Sequence, residues 1–437
     1  MNLYDELSWR GQIHQVTDDT LARGALDAGD GGIRAYIGFD PSADSLHVGS
    51  LVPILALRRL QVAGHTPIVL VGGATGLIGD PSGKSEERNL ISRERAEANA
   101  AALTRQLAHF VNFDGPNAAI TVDNLGWHGQ LHLLDFLRDI GKFFSVNAMI
   151  QRDSVRNRLD RDNTGISFTE FAYMLLQAYD FYHLYKEFGC RAQLGGSDQW
   201  GNIVSGIDLI RGHGLGADAP PFGLTMPLVT SRSGAKFGKT EAGAVWLDAA
   251  RTSPYAFYQF WFNSDDEDLG RWLRTFTFLG REEIEAVEVQ HGASPHQREG
   301  QRRLAEELTV LVHGKDGLAA AQRATAVLFG GERGDLSAAE LVRIFHDGGV
   351  AQTRVDPQTG GGISLKALLV GDSPGHAFAS GSLAKQALKS GSVSVNGAKV
   401  GPGIGDVLAA DQLIEGRLAI VRVGRKQRFL VRVEGDA

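Results

Sequence analysis

The chain has 437 residues, 43% of them hydrophobic and 22% charged, which is typical of a globular protein with roughly two to four domains. Cys190 is the only cysteine, so intramolecular disulfides and cysteine-rich zinc sites are excluded. No apolar run reaches membrane-spanning length, and the acidic start Met1–Glu6 lacks the apolar core of a signal peptide. We therefore expect a cytoplasmic protein without a membrane partner.

Charge is distributed unevenly along the chain. The net charge is −7, yet from Ile363 onward ten Lys and Arg oppose six Asp and Glu, a net +4. The remainder holds 34 against 45, a net −11. A small basic module on an acidic body favours a polyanionic partner bound by that end of the chain. A solvated charged surface would give the same numbers, so both interpretations stay open.

The first 250 residues alternate β-rich apolar runs with helical patterns. Ile33–Phe39 and Pro67–Val71 are predicted strands, and a helix is predicted over Leu46–Ala63 with Asp44 or Ser45 as its cap. This order predicts βαβ units and a parallel sheet, and therefore an α/β Rossmann-like domain.

The turn after the first strand, residues 36–50, carries polar and small residues. Asp40-Pro41 ends the strand, because proline fixes φ and donates no hydrogen bond. His47 and Gly49 then stand at the predicted helix start, where free N–H groups favour anions and glycine allows a ligand to approach closely. The turn is either a phosphate site or an ordinary strand-to-helix connection.

A glycine-rich loop follows the second strand. The segment Gly79–Lys84 resembles a nucleotide-binding P-loop, but it has three residues between its glycines where that motif needs four. A P-loop NTPase is therefore disfavoured. Lys84 and Arg88 suit contact with phosphates, or they belong to a basic solvated loop.

A long helix is predicted to begin at the capping box Ser167–Glu170 and to end at Gly189. Tyr173, Gln177 and Asp180 fall at i, i+4 and i+7 and share one face among apolar neighbours. Such a polar stripe is either solvated or faces a polar cavity, because buried polar groups need partners. A phenol, an amide and a carboxylate together suit a zwitterionic amino acid.

Two further segments of this domain have a binding pattern. Gln193–Ile203 predicts a strand end, a glycine turn and a new helix capped by Ser197 or Asp198, and Asp198 either binds ribose hydroxyls or only caps that helix. The loop Lys236–Thr240 offers two lysines and a hydroxyl that can neutralise charge on a leaving pyrophosphate.

The pattern changes near Ser253-Pro254. It becomes mostly helical up to about residue 346, and turn-forming residues over 347–362 predict a linker. The last 75 residues predict a short helix, Leu383–Lys389, and two β-hairpins, one of them turning at Asn396-Gly397. We therefore expect domains at 1–250, 251–346 and 363–437.

Taken together, these segments resemble the bacterial-type tyrosyl-tRNA synthetases, which are class I aminoacyl-tRNA synthetases. Residues 47–50 match the HIGH motif of that class and residues 236–240 its KMSKS motif. The resemblance covers nearly the whole chain, and longer strings in the same order make it specific. The strings that resemble tyrosine-specific members are Tyr36–Asp40, Gly72–Pro81, Tyr173–Asp180 and Gly195–Asn202.

The resemblance implies an activity and partners. L-tyrosine and ATP, accompanied by Mg²⁺, would form tyrosyl-adenylate and pyrophosphate, and the tyrosyl group would pass to the 3′-terminal ribose of tRNA(Tyr). No tightly bound cofactor and no protein metal site are implied. Residues 1–250 would be the catalytic domain, 251–346 an α-helical anticodon-recognition domain, and 363–437 a small α+β RNA-binding module like that of a ribosomal small-subunit protein. The apolar stretch Gly141–Ile150 and the resemblance together predict a homodimer.

The resemblance also implies roles for individual residues. Tyr36 and Asp180 would bind the phenol hydroxyl of tyrosine, and Gln199 would lie near its carboxylate. The residues that would hold its ammonium group are Asp80, Tyr173 and Gln177. Those around ATP would be Asp40, Ser42, His47, Gly49, Ser50, Gly196, Asp198 and Lys239. The catalytic residues, most of them at the phosphates, would be His47, Lys84, Arg88, Lys236, Lys239 and Thr240.

Two positions depart from the class motifs. Ser50 replaces the second histidine of HIGH and leaves a hydroxyl at best, and Gly238 stands where KMSKS has serine. Ser42 could supply a further hydroxyl to the phosphates.

Two rival functions stay open. A tryptophanyl-type synthetase would share the nucleotide motifs, but Tyr36 with Asp180 suits a phenol better than an indole. A non-catalytic RNA-binding relative, such as a splicing cofactor, would keep the fold and should tolerate the loss of Lys236 and Lys239, which are both present.

Overall fold

The computed structural model forms two compact units. It describes residues 2–27, 32–82, 91–152, 155–156, 159, 165–230, 237–240, 243–329, 336–350, 352–355, 363–370, 377–400, 407–424 and 427–433. The first unit contains residues 1–252 and 262–304, and the second contains residues 253–261 and 305–437. Residues 262–304, which were expected to belong to a domain over 251–346, group with the first unit, and the predicted domain boundaries stay a prediction.

A six-stranded sheet forms the centre of the first unit, in the order β1-β6-β5-β2-β3-β4. Its strands are β1 (Gln15–Val16), β2 (Arg34–Phe39), β3 (Thr66–Val71), β4 (Ile120–Asp123), β5 (Cys190–Gly196) and β6 (Phe222–Met226). All neighbouring pairs are parallel except β1 with β6. Nearly every residue of β3 and β6 is buried, as expected for a parallel sheet covered on both faces. The predicted α/β fold with a parallel sheet is confirmed.

Helices of very different lengths connect and follow these strands. In chain order they are α1 (Leu3–Trp9), α2 (Asp19–Ala25), α3 (Leu51–Val62), α4 (Thr75–Ile78), α5 (Arg93–Leu107), α6 (Leu125–His128), α7 (Leu133–Asp135), α8 (Val146–Ile150), α9 (Phe168–Phe188), α10 (Trp200–Gly212), α11 (Pro254–Phe262), α12 (Asp266–Phe276), α13 (Arg281–Ala293), α14 (Glu299–Phe329), α15 (Ala338–Asp347), α16 (Leu365–Leu369) and α17 (Gly381–Lys389). Short 3-10 turns cover Val48–Ser50, Gly141–Phe143, Ser197–Gln199, Pro295–Gln297 and Ala410–Gln412, and Phe136–Ile140 is a π-helical turn. No described helix is both long and apolar enough to span a bilayer.

The helix predicted over Leu46–Ala63 begins later than expected. A 3-10 turn, Val48–Ser50, precedes α3, and its cap is the His47 side chain rather than Asp44 or Ser45. Asp44 forms ion pairs with arginines, and the Ser45 hydroxyl donates to the neighbouring carbonyl oxygen, so neither caps the helix. The predicted cap was wrong because these contacts compete for the side chains.

The long helix α9 has the predicted ends. The Ser167 hydroxyl accepts a hydrogen bond from the Glu170 N–H at 3.3 Å, and Gly189 closes the helix in the left-handed region with φ 62°. The next predicted cap was wrong, because α10 begins after a 3-10 turn without a capping bond from Ser197 or Asp198.

Two buried arginines hold the segment that ends α12. Arg10 donates to the carbonyl oxygens of residues 274, 277 and 279 at 2.9–3.2 Å, and Arg59 donates to those of residues 275 and 277 at 2.9 Å. Burial, together with the charge of Arg10, lowers the pKa of Arg59 to about 9. These bonds satisfy carbonyl groups at a helix end and tie α12 to α1 and α3.

The second unit combines helices with a five-stranded sheet of order β12-β11-β14-β15-β9. Its strands are β9 (Gln352–Val355), β11 (Val393–Val395), β12 (Ala398–Lys399), β14 (Leu418–Val423) and β15 (Gln427–Val433); β10 (Ile363–Ser364) pairs separately with β13 (Val407–Leu408). Leu328 of α14, Leu341 and Phe345 of α15, Leu418 and Leu430 share one buried cluster. The helical region and the small α+β module are as predicted in fold.

One turn of the C-terminal module is as predicted, and the segment predicted as a linker is not. Asn396 and Gly397 have φ of 49° and 88°, as the tight turn of the predicted hairpin requires. The predicted linker 347–362, by contrast, contains β9, which pairs in parallel with β15. The strand forms because the outer edge of β15 offers unpaired backbone groups.

Candidate active site

A cavity of about 410 Å³ lies at the C-terminal ends of β2 and β5. Open α/β sheets bind ligands at this edge. The polar face of α9 and the turn before α3 supply further lining side chains. Among the residues predicted for the site, those that line the cavity are Tyr36, Asp40, Ser42, His47, Ser50, Asp80, Tyr173, Gln177, Asp180, Gly196, Asp198 and Gln199.

The remaining predicted residues are only partly described. Lys84, Arg88 and Lys236 lie outside the described residues. Lys239 and Thr240 are described as backbone, in a two-residue strand, β7 (Lys239–Thr240), paired with β8 (Gly243–Ala244). The polar stripe on α9 faces this cavity and not bulk solvent, which settles the alternative left open by the sequence.

Asp180 is a buried carboxylate, and its side chain is 2% exposed. Its Oδ2 accepts a hydrogen bond from Asn124 at 3.0 Å, and its Oδ1 accepts from Trp127 Nε1 and His128 Nε2, both at 2.8 Å. A carboxylate has about four acceptor positions. Three are therefore filled by protein donors and one remains.

Tyr36 supplies a donor near that carboxylate. Its side chain is buried, its ring packs 5.5 Å from that of Phe181, and its hydroxyl has no hydrogen-bond partner among the described residues. Burial, and next the charge of Asp180, raise the pKa of the phenol well above its usual range, so it stays protonated. One donor from Tyr36 and one acceptor position on Asp180 complement a single hydroxyl group.

A chain of amides crosses the middle of the cavity. Gln199 donates to Asp80 at 2.7 Å, Gln177 donates to the Gln199 oxygen at 3.1 Å, and Asn202 donates to the Gln177 oxygen at 2.9 Å. Each bond fixes the orientation of the next amide, so the carboxylate of Asp80 is held in the cavity by Gln199.

Asp40 is bonded on both oxygens. Tyr173 donates to its Oδ2 at 2.9 Å and Thr75 donates to its Oδ1 at 2.8 Å. A Cβ on Gly72 would lie 2.2 Å from Asp40 Oδ1, so glycine is needed there for the carboxylate to reach Thr75. Burial, then Asp40 and Asp80, raise the pKa of Tyr173 well above its usual range. A hydrogen bond thus joins Tyr173, which is predicted to bind tyrosine, to Asp40, which is predicted to bind ATP.

His47 is held by Gly49, two residues later in the chain. The Gly49 N–H donates to His47 Nδ1 at 3.0 Å, and a Cβ on Gly49 would lie 2.7 Å from the imidazole ring. The neutral ring then carries its proton on Nε2. Trp246, which sequence reasoning missed, contacts the ring edge-on with centroids 6.3 Å apart. Gly49 is not among the cavity-lining residues and acts by admitting the imidazole.

The described part of the lysine loop, residues 237–240, lies against the same turn. The Gly238 carbonyl accepts from the Val245 N–H at 2.9 Å, and the Val245 carbonyl accepts from the Val48 N–H at 3.0 Å. Gly238 has φ 78°, and a Cβ there would lie 2.6 Å from Val48 Cγ2. The departure from the class motif therefore has a steric reason.

Phe237 fixes the other side of this loop to α12. Its ring lies 4.9 Å from that of Trp272 and is stacked 5.4 Å from that of Phe276. Arg271, on the same helix, donates to the Thr230 carbonyl at 2.6 Å. Thr230, before the loop, and Phe237, within it, are thus both attached to α12.

Gly196 and Asp198 form the opposite wall. A Cβ on Gly196 would lie 2.6 Å from Asp198 Oδ1, so the glycine makes room for the carboxylate. Burial, and next the charge of Asp80, raise the pKa of Asp198 above its usual value.

Sequence reasoning missed several residues of this site. Asn124 follows β4 at the same sheet edge, which is a signal that could have identified it. Trp127, His128 and Asn202 contact the predicted residues through a short helix and a helix interior, where no spacing pattern marks them.

Comparison with known proteins identifies a family. The family model described as class I tRNA synthetases (W and Y) matches residues 29–330. The chain belongs to this family. It is 49% identical over 435 residues to the tyrosine–tRNA ligase of Geobacillus kaustophilus, covering 99% of this chain and 100% of the relative. It is also 49% identical over 436 residues to that of Roseiflexus castenholzii, covering 99% of each chain.

A solved structure is similar as well. A C-terminally truncated mitochondrial tyrosyl-tRNA synthetase of Aspergillus nidulans is 33% identical, with a TM-score of 0.67 over 75% of this chain and 94% of that chain. The predicted class I synthetase of the bacterial tyrosyl type is thereby confirmed, and full-length relatives of this identity support tyrosine–tRNA ligase function over the tryptophanyl alternative. Membership of this family also implies ATP as a substrate of the synthetase.

Proposed function

We propose that this synthetase binds L-tyrosine and ATP side by side in the 410 Å³ cavity and joins them through the residues predicted from the sequence. The observation that carries the proposal is the match between Tyr36, Asp180 and a phenol hydroxyl. Three protein donors occupy Asp180, which leaves one acceptor position, and the buried Tyr36 hydroxyl lacks a partner among the described residues.

The amide chain suits the other end of tyrosine. Asp80 provides negative charge for the ammonium group, and Tyr173 and Gln177 provide oxygen acceptors beside it. Gln199 bridges Asp80 and Gln177 and lies next to the position proposed for the substrate carboxylate. Both charged groups of the amino acid would therefore meet hydrogen-bonding partners.

ATP would occupy the part of the cavity next to His47. Asp198 would accept from the ribose hydroxyls, and Asp40, Ser42, Gly49, Ser50 and Gly196 would surround the nucleotide. ATP would enter with Mg²⁺, which neutralises phosphate charge. The residues proposed to contact the phosphates are Lys84, Arg88, Lys236, Lys239 and Thr240.

The first step needs no general base, because the tyrosine carboxylate is already an anion. One carboxylate oxygen attacks the α-phosphorus of ATP. A new oxygen–phosphorus bond forms, and the bond between that phosphorus and pyrophosphate breaks. Catalysis then consists of positioning two reactants and stabilising phosphate charge. In the second step a hydroxyl of the tRNA terminal ribose attacks the carbonyl carbon, and AMP leaves.

The test of this function is ATP–pyrophosphate exchange measured with each of the twenty amino acids. Tyrosine should support exchange well above all others. Exchange that is equal with phenylalanine would contradict the proposed phenol site, and preference for tryptophan would favour the tryptophanyl alternative. No exchange with any amino acid would favour a non-catalytic RNA-binding relative.

We also propose that the chain acts in the cytoplasm as a homodimer, and that residues 251–346 and 363–437 contact tRNA. Exposed apolar side chains near the predicted stretch Gly141–Ile150 support the dimer. Leu134, shortly before the stretch, is 78% exposed and Val146, within it, is 56% exposed, which is costly for a monomer in water. Light scattering at micromolar concentration should give twice the mass of one chain, whereas the mass of one chain would reject the dimer.

A further inference from the structure

His128, the last residue of α6, directly contacts Asp180, the carboxylate proposed to bind the substrate hydroxyl. Its Nε2 lies 2.8 Å from Asp180 Oδ1, and the two side chains are 7% and 2% exposed. Water therefore has little access to this bond. None of the sequence motifs contains this residue, and it is not among the residues that line the cavity.

The surroundings of His128 are aromatic and contain few charges. Its ring lies 5.5 Å from that of Tyr179 and 6.3 Å from that of Trp127. His183 stacks on the far side of this group, 4.4 Å from the Trp127 ring. Among the described residues, Asp180 is the carboxylate that bonds to the His128 ring. The imidazole therefore serves this carboxylate as a hydrogen-bond donor.

The bond determines how many acceptor positions Asp180 keeps for a ligand. With Asn124, Trp127 and His128 all donating, one position is left for one phenol O–H. Without His128, two positions are open, and the carboxylate can rotate or bind a water molecule. If phenylalanine then bound in place of tyrosine, the Asp180 carboxylate would be left with less unsatisfied hydrogen bonding. The enzyme would therefore reject phenylalanine less strongly.

We propose that His128 is a positioning residue that orients Asp180 and thereby sets the preference of the synthetase for tyrosine over phenylalanine. This inference rests on the proposed role of Asp180 in binding the substrate hydroxyl. His128 does not touch the reacting atoms, so its effect should fall on tyrosine recognition and not on ATP binding.

The experiment compares variants of the full chain in ATP–pyrophosphate exchange with tyrosine and with phenylalanine. His128→Leu removes the donor, and His128→Phe also removes it while filling the aromatic space. His128→Gln keeps an N–H donor near the Nε2 position. His183→Leu is the matched control, because it removes a histidine that stacks on Trp127 and, in the described part of the structure, does not hydrogen-bond to Asp180.

Loss of a hydrogen bond to a charged group should raise the tyrosine KM about tenfold and lower the tyrosine-to-phenylalanine ratio of kcat/KM about tenfold. The ATP KM should stay unchanged. His128→Gln should recover most of both effects, and His183→Leu should change the ratio less than about twofold.

Equal changes in His128→Phe and His183→Leu, or failure of His128→Gln to differ from His128→Leu, would overturn the inference and leave only a packing role. Asp180→Asn separates this result from failure of the proposed site. If Asp180→Asn leaves tyrosine recognition unchanged, the proposed function of the pocket is wrong. If it weakens recognition and the His128 variants do not, only the inference about His128 is wrong.

Discussion

At the scale of single residues, the hydroxyl of Tyr36 and the carboxylate of Asp180 carry the proposed selection of tyrosine. Both side chains are almost fully buried, at 1% and 2% exposed. Neither can therefore hydrogen-bond to bulk water when the ligand lacks a hydroxyl group. A site built to bond a substrate hydroxyl rejects the analogue that lacks it, a rule for which tyrosyl-tRNA synthetases themselves serve as an example. Discrimination can therefore come from the pocket alone.

Tyr36→Phe removes the donor without changing the shape of the pocket. We expect it to cost on the order of 1 kcal/mol of tyrosine binding and to relax the rejection of phenylalanine. The measurement is kcat/KM for both amino acids in pyrophosphate exchange. Tyr185→Phe is a matched control on α9, because its hydroxyl donates to the Ala219 carbonyl at 3.0 Å and does not line the cavity. An unchanged ratio in Tyr36→Phe would refute this pocket assignment.

Gly238→Ser restores the serine of the class motif, but we expect it to impair the enzyme. The new Cβ would lie 2.6 Å from Val48 Cγ2 at φ 78°, and relieving that overlap would cost about 1–3 kcal/mol and shift the His47 turn. The rate of tyrosyl-adenylate formation in single turnovers should fall about tenfold or more.

Gly243→Ala is the control for this substitution. Gly243 has φ 110°, and a Cβ there would meet no described atom within 4 Å, so it tests backbone strain without a clash. If adenylate formation slows equally in both variants, backbone strain and not contact with Val48 explains the loss. The steric explanation of Gly238 then fails.

The residues of the cavity were predictable to different degrees. Tyr173, Gln177 and Asp180 follow a helical spacing, and the structure places all three at the cavity, so periodicity was sufficient there. Asn124, Trp127 and His128 reach Asp180 from across the sheet edge. Their positions depend on tertiary packing, which leaves no local spacing signal in the sequence.

At the scale of elements, α12 is the anchor of the lysine loop. It holds Phe237 between Trp272 and Phe276, and Arg271 holds the carbonyl of Thr230 before the loop. Buried arginines in turn fix the end of α12. The loop that should bring its lysines to the phosphates is therefore attached to an element that packs on α3.

Phe237→Ala should loosen that attachment. We expect the rate of adenylate formation to fall about tenfold, because positioning of charge contributes directly to catalysis, while the tyrosine KM stays unchanged. Stopped-flow or quench measurements of single turnovers separate the two parameters. Phe237→Leu retains apolar packing and should keep most of the rate. A rise in tyrosine KM with an unchanged rate would contradict the anchoring role.

The helix starts show where local rules are sufficient and where they fail. Ser167 caps α9 as predicted, and its hydroxyl accepts from the Glu170 N–H. Asp44 is as good a capping residue, yet its carboxylate pairs with Arg95 and Arg251. Those arginines come from distant parts of the chain, and sequence reasoning could not place them beside Asp44.

At the scale of the whole molecule, the division of the chain changes how the tRNA-binding proposal should be tested. The helices α14 and α15 share a buried cluster with β14 and β15. Truncation near residue 360 would therefore expose apolar surface of both helices as well as removing the basic module. Point changes on the intact chain separate binding from stability.

The double variant Lys385→Glu and Lys389→Glu changes two exposed lysines on α17. We expect aminoacylation of tRNA to fall about tenfold at physiological salt, since each lost phosphate contact weakens a salt-dependent interaction. Pyrophosphate exchange should be unchanged. Lys186→Glu, on an exposed residue of the first unit, is the control. If exchange and aminoacylation fall equally, the module is structural and does not bind tRNA.

The architecture of each unit was largely predictable, because alternating strand and helix patterns, the turn at Asn396-Gly397 and the basic C-terminal residues are all local signals. The grouping of residues 262–304 with the first unit was not predictable. It depends on carbonyl oxygens that meet Arg10 and Arg59, and no composition change in the chain marks that contact.

Those two arginines also affect the order in which the first unit can be completed on the ribosome. The carbonyl oxygens that they bind are made 216 to 269 positions later, after all six strands of the first sheet. Until then the Arg59 guanidinium must stay hydrated, because an unpaired buried charge costs roughly 3–5 kcal/mol, whereas Arg10 can already pair with Glu6 of α1 at 2.8 Å. A nascent chain can therefore pair its strands while α1 and α3 remain open on one side, and translation through α12 permits them to close.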